Sequence, residues 1–173
     1  MGSKVVVITG STQGLGFGYA QAFLQRGHHV VVSGRSQPSV DAAIDRLEAD
    51  AVVGAGAVIG QACEVADLAQ VQALWDFAVR SFGPVDIWLH NAGFARTGVS
   101  FAATTPEEIA AMVRSNVIGS MNSAQVAVAG MAKQPAGGKL FLTLGGGGAS
   151  GRVVPGMAVY STTKRAVKYF ADS

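Results

Sequence analysis

The stretch Val5-Val6-Val7-Ile8-Thr9-Gly10-Ser11-Thr12-Gln13-Gly14-Leu15-Gly16 holds three kinds of sequence in succession. Val5 to Ile8 is apolar and β-branched throughout, the composition of a strand buried on both faces. Thr9 and Gly10 end it. Beyond Gly14 and Gly16, the residues Phe17, Ala20, Phe23 and Leu24 recur at three-and-four spacing, which predicts an amphipathic helix closing at Gly27. Strand, glycine turn and helix in this order build a phosphate site. Glycines let the backbone approach a pyrophosphate, and the unpaired N–H groups of a helix start favour an anion. The glycines form GxxxGxG rather than the commoner GxGxxG, and a plain structural turn is the competing explanation for the motif by itself. If the turn holds a dinucleotide, its contacts are Gly10, Ser11, Thr12, Gln13, Gly14, Leu15 and Gly16.

Apolar periods alternate along the rest of the chain. Strands are predicted at 4–9, 29–33, 57–62, 85–90 and 139–144, and helices at 14–26, 39–49, 68–82 and 105–133, with a last one starting near Val159. Strands alternating with helices imply right-handed crossovers and a parallel sheet. The expected fold is α/β, a Rossmann-like doubly wound sheet of strand order 3-2-1-4-5 with its ligand at the carboxyl edge. Thr105 reads as a helix cap, with Pro106 at the first helical position. The low-complexity run at 51–60 is apolar and reads as loop and buried strand. Residues 1–173 form one domain without internal repeats.

Composition bounds the function classes. With 49% hydrophobic and 14% charged residues, the chain can bury a substantial core. The single cysteine, Cys63, excludes an internal disulfide, and His28, His29 and His90 lie at no zinc spacing, so no metal is expected. Cys63 reads as a small buried apolar residue. A net charge of +2 makes no case for nucleic acid. No apolar run approaches a membrane span, and Met-Gly-Ser-Lys passes directly into the first strand, so a soluble or cytoplasmic protein without a transit segment is expected.

A second motif supplies chemistry. Tyr160 and Lys164 in Tyr-Ser-Thr-Thr-Lys stand one helical turn apart on one face. A free phenol titrates near pH 10, but an adjacent cation favours its phenolate and makes it a usable acid or base. A solvent-facing pair on a surface helix is the alternative for this motif alone. Cofactor choice follows from charge. Residues 1–40 contain no Asp or Glu, whereas Arg35 directly follows the second strand, with Ser33, Gly34 and Ser36 beside it. A basic residue there accommodates the additional phosphate of NADP, where an acid would bind the ribose diol of NAD. NADPH is therefore expected over NADH, with Arg35 and Ser36 as contacts.

Together these residues resemble the short-chain dehydrogenase/reductase family over the whole sequence. The resemblance includes Asn91-Ala92-Gly93 after Ile-Trp-Leu-His, Asn116 in Arg-Ser-Asn-Val-Ile-Gly-Ser, and Pro155 ahead of the tyrosine. It implies that Tyr160 protonates a carbonyl oxygen as hydride arrives, that Lys164 lowers its pKa and bonds the nicotinamide ribose, and that Asn116 holds a water linking Lys164 to solvent. It also implies that Asn91, Ala92 and Gly93 line the adenosine side of the cleft, that Glu64-Val65 replace an Asp-Val pair near the adenine, and that His90 replaces an asparagine. Relatives continue with two further strands and a substrate segment, so the sheet is expected to be truncated; the full-length protein is expected to form a homo-oligomer.

One departure is large. The family's substrate-binding serine position, 13 residues before the tyrosine, is Gly147. Ser150, Thr143 or glycine N–H groups are the replacement donors, Ser150 foremost; a loop without any donor is the fourth reading. The glycine-rich loop, with Ser-Asn-Val-Ile-Gly-Ser and Ala-Val-Tyr-Ser-Thr-Thr-Lys-Arg, resembles chlorophyll b reductases, which implies the 7-formyl group of chlorophyll b as substrate and a plastid location. Against that, Gly145 stands where those relatives carry an aspartate. The expected activity is NADPH-dependent reduction of a small-molecule carbonyl or aldehyde. The alternatives are a short-chain alcohol dehydrogenase for a sugar, lipid or small alcohol, and a catalytically silent dinucleotide- or partner-binding protein.

Overall fold

The computed structural model describes residues 2–148 and 153–173. Five parallel strands, β1 (Val5–Thr9), β2 (His29–Gly34), β3 (Val58–Ala62), β4 (Ile87–His90) and β5 (Lys139–Leu142), lie in the order β3-β2-β1-β4-β5. They alternate with α1 (Gly14–Leu24), α2 (Gln37–Ala49), α3 (Leu68–Phe82), α4 (Pro106–Val113), α5 (Gly119–Met131) and α6 (Ala158–Asp172). The expected strand order and double winding are both present.

The period of two in β1 explains why both faces are covered. Val5 and Val7 join Val31, Trp88 and the α3 and α5 residues Val71, Leu74, Trp75, Val126 and Met131 in one core. Val6 and Ile8 point the other way, packing with Val30, Val32, Leu89 and the α1 and α2 residues Ala20, Leu24, Val40 and Leu47. Every residue of β1 is buried, and each such valine or isoleucine side chain stabilises by roughly 1.5–3 kcal/mol relative to exposure. Cys63 lies buried in the first core, where removal from water and the neighbouring carboxylates of Glu64 and Asp67 push its thiol up to about 12.

Element ends differ from the sequence reading for local reasons. β4 starts at Ile87 rather than Val85: the Val85 N–H donates to Gln134 Oε1 at 2.9 Å and its carbonyl accepts Gln134 Nε2 at 3.1 Å, so a side chain and not a strand pairs that backbone. β5 stops at Leu142, and the next carbonyl, Thr143 O, accepts Lys164 Nζ at 3.0 Å. α2 begins two residues before the expected Ser39, with Pro38 in its first turn. The predicted single helix 105–133 is interrupted by a π-helical turn at Arg114–Ile118 between α4 and α5. The start of α4 is as expected: Thr105 Oγ1 accepts Glu108 N at 3.2 Å and Glu108 Oε2 accepts Thr105 N at 3.1 Å.

Candidate functional site

At the carboxyl edge of the sheet the glycine turn closes against the end of β4. A methyl group on Gly10 would stand 2.7 Å from Ala92 Cα, and one on Gly16 would meet Gly10 O and lie 2.6 Å from Asn91 Nδ2. Only glycine lets α1, the turn and Asn91-Ala92 approach this closely. Gly14 has open space beside it, at φ +57°. Gln13, the residue capping α1, makes no side-chain bond to the helix, so the first-turn N–H groups are left for a ligand.

From this turn a cleft of about 740 Å³ runs past Gly34 and Arg35, along Cys63, Glu64 and Val65, and across Asn91, Ala92, Gly93 and Phe94. Its walls contain the predicted contacts Gly10, Thr12, Gln13 and Gly14 as well. A dinucleotide fits this cradle: Gly10 to Gly14 would hold the pyrophosphate, and Arg35, exposed at the rim, would meet the adenosine end. Four predicted contacts in and beside the turn, Ser11, Leu15, Gly16 and Ser36, are not in the cleft walls, although the backbone N–H groups of Leu15 and Gly16 belong to the first turn of α1. Ser11 turns inward, its hydroxyl donating to Ile8 O at 2.7 Å and accepting Ser33 N at 2.9 Å, so it fastens β1 to β2 instead of touching a ligand. Ser36 donates to Ser39 Oγ at 3.0 Å in the first turn of α2, and Leu15 projects into solvent.

The family's adenosine-side residues do structural work too. Asn91 Nδ2 donates to Gly10 O at 2.9 Å, and Thr9 Oγ1 accepts the N–H groups of Asn91 and Ala92, each at 3.1 Å. Thr9 Oγ1 also lies 3.1 Å from His90 Nδ1, which Ser123 Oγ approaches at 2.8 Å. His90 Nδ1 thus lies between the hydroxyls of Thr9 and Ser123. Burial, then the charge of Lys164, pushes His90 down to about 3.

Gly93 is where the cleft meets Asn116 and Lys164. A methyl group there would stand 3.1 Å from Asn116 Oδ1 and 3.4 Å from Lys164 Nζ. Lys164 is 3% exposed, with Nζ 5.8 Å from the centre of the Tyr160 ring. Burial holds the Lys164 ammonium below its ordinary pKa and the half-buried Tyr160 phenol above its own. For Tyr160, removal from water is the dominant effect, and it favours the neutral phenol. Asn116, fully buried in the π-helical turn, accepts Phe94 N at 2.8 Å and donates to Phe94 O and Thr163 Oγ1, each at 2.9 Å. Its carboxamide fastens the Phe94 segment to α6.

Sequence reasoning missed Phe94 and the cleft wall formed by Glu107, Ala110, Ala111, Arg114 and Ser115. The signal existed: residues 107, 110, 111 and 114 fall on one face of a helix. Ser150 lies outside the described residues, and Gly147 has φ +79°, a conformation that disfavours serine.

A model of the short chain dehydrogenase family matches residues 4–173, so the chain belongs to that family. It is 36% identical over 185 residues to the Probable chlorophyll(ide) b reductase NYC1, chloroplastic, of Arabidopsis thaliana, which covers 99% of this chain and 37% of that protein. It is likewise 36% identical over 169 residues to the Chlorophyll(ide) b reductase NOL, chloroplastic, of Oryza sativa subsp. japonica, covering 97% of this chain and 48% of that protein. The chain thus spans less than half the length of either relative. A short chain dehydrogenase/reductase from Burkholderia phymatum solved in complex with NAD superposes with a TM-score of 0.88 at 29% identity, covering 98% of this chain and 58% of that one.

Proposed function

We propose that this chain is the cofactor-binding and proton-transfer core of an NADPH-dependent reductase whose substrate is the 7-formyl group of chlorophyll(ide) b. The observation that carries the reductase reading is the phenol of Tyr160, held protonated by burial, beside the buried ammonium of Lys164 at the Gly93 end of the cleft. A protonated phenol is the form needed to give a proton to a carbonyl oxygen. The bound dinucleotide supplies the hydride. Tyr160 gives the proton, Lys164 offers the ammonium that steadies the resulting phenolate, and Asn116 holds the Phe94 segment against α6 so that both side chains keep their places. Arg35 selects the phosphorylated dinucleotide, and Glu64 and Val65 flank the adenine. The choice of substrate rests on the two chlorophyll(ide) b reductases matched above, and a plastid location goes with it.

Among the described residues no helix is long and apolar enough to cross a membrane. The test is reduction of chlorophyllide b by the full-length protein with NADPH, with the 7-hydroxymethyl product separated by chromatography. Formation of that product only when NADPH and Tyr160 are both present supports the reading. Reduction of steroid or sugar ketones with no turnover of chlorophyllide b would move the protein to the alcohol dehydrogenase alternative.

A further inference from the structure

The residues that follow β5 form a tight turn. Gly148 N donates to Gly145 O at 2.9 Å, Gly147 has φ +79° and Gly146 has no positive φ, which together define a type II turn with Gly146 and Gly147 at its corners. The turn lies directly against the general acid: a methyl group on Gly145 would occupy the position of the Tyr160 hydroxyl. Ser161 Oγ donates to Gly146 O at 3.2 Å, tying the turn to the first turns of α6, the helix that carries Tyr160. A carbonyl oxygen that takes the proton of Tyr160 must sit within a hydrogen bond of that hydroxyl, and so beside this turn. All four residues of the turn are glycine and offer no side-chain donor. The N–H groups of Gly146 and Gly147 have no acceptor among the described residues.

We infer that these two backbone amides are the oxyanion site of the reaction, replacing a side-chain hydroxyl. The inference rests on the reductase reading above. During reduction the carbonyl carbon gains hydride from the reduced nicotinamide dinucleotide, and the π pair of the C=O bond moves onto oxygen. The O–H bond of Tyr160 breaks, a new O–H bond forms on the substrate, and a phenolate remains beside Lys164. The amides meet the charge that builds on oxygen before the proton arrives. Glycine at three of the four positions fits this arrangement: a side chain at 145 would displace Tyr160, one at 147 would oppose the turn, and one at 148 would stand 2.9 Å from Lys164 Cβ.

Proline tests the idea cleanly, because position 146 is the turn corner where its fixed φ belongs and where it removes only the N–H. A Cβ at 146 meets Met157 Cε at 3.5 Å, an ordinary contact. In the full-length protein, Gly146→Pro is expected to reduce chlorophyllide b about 10² to 10³ times more slowly than Gly146→Ala, which keeps the amide. Glycolic acid at position 147, an ester replacing that amide, should produce a loss of the same order. A second readout needs no turnover: the carbonyl stretch of bound carbon-13 benzaldehyde should shift to higher frequency in each amide-less protein. Parental rates and an unmoved stretch in both proteins would overturn the inference. So would a Ser150→Ala protein that alone loses rate and stretch shift, since the oxygen would then belong to that hydroxyl. Tyr160→Phe separates the two levels: if it keeps the parental rate, the reductase reading itself fails, whereas failure of the amide variants alone sinks only the turn.

Discussion

Tyr160 and Lys164 are perturbed in opposite directions by one cause, removal from water, which penalises the charged form of each. Across the neutral range the phenol therefore stays protonated. Tyr160→Phe keeps the ring and its packing, so cofactor affinity should survive while turnover falls by roughly 10² or more, read as kcat in steady-state kinetics. Lys164→Met should lower both quantities, because Nζ is the cation at the Gly93 end of the cleft. His90 gives a pH dependence of stability. Its pKa is about 3 in the folded protein against 6.5 as the ordinary value, so between these limits the unfolded chain binds the additional proton. Stability therefore rises with pH across that window and is lost on acidification, by up to about 1.4 kcal/mol per pH unit. Urea denaturation between pH 4 and 7 checks this, and His90→Asn should flatten the slope. Gly147→Ser, attractive from the sequence as the restoration of a donor, should instead cost about 1–2 kcal/mol in thermal denaturation, because the position requires positive φ.

At the scale of elements, the break between α4 and α5 matters most. A π-helical turn shifts the register of side chains around the helix and brings Asn116 to face Phe94 and Thr163. Asn116→Ala would leave Phe94 N and Phe94 O without partners in a part-buried setting and the Asn116 side of Thr163 without one in a buried setting, and should destabilise by about 1–3 kcal/mol in urea denaturation. Asn116→Asp should fail to rescue it, because a carboxylate cannot donate to Phe94 O. An asparagine in mid-helix is legible in sequence as an unfavourable choice that needs a reason. The π turn that supplies the reason is not legible, since it depends on contacts with residues 22 and 47 positions away.

For the molecule as a whole, the cleft is assembled from the ends of β1, β2, β3 and β4 together with one face of α4, and its charge is mixed. Arg35, Arg114, Glu64 and Glu107 all line its walls. If Arg35 meets the adenosine phosphate, NADPH should bind at least roughly tenfold more tightly than NADH, the worth of a charge-assisted bond of about 1.5–3 kcal/mol. Arg35→Asp should abolish or reverse that preference, measured by fluorescence titration of both cofactors. Equal affinities before and after the change would place the discriminating contact elsewhere on the cleft, with Arg114 the remaining basic side chain in its wall.

The sequence by itself determined the strand order, the two-sided burial of β1, the glycine turn, the cap at Thr105 and the pairing of Tyr160 with Lys164. The strand order follows from right-handed crossovers between alternating strands and helices; the others are carried by residues near one another in the chain, through β-branched runs, glycine spacing, helical periodicity and local capping bonds. Tertiary structure alone decided what depends on distant residues meeting. It turned Ser11 inward to join β1 and β2, placed Lys164 on Thr143 O, and brought the α4 face onto the cleft. It also set the protonation of the site, because burial is a property of the packed molecule: the same tyrosine and lysine in an isolated helix would titrate as ordinary side chains.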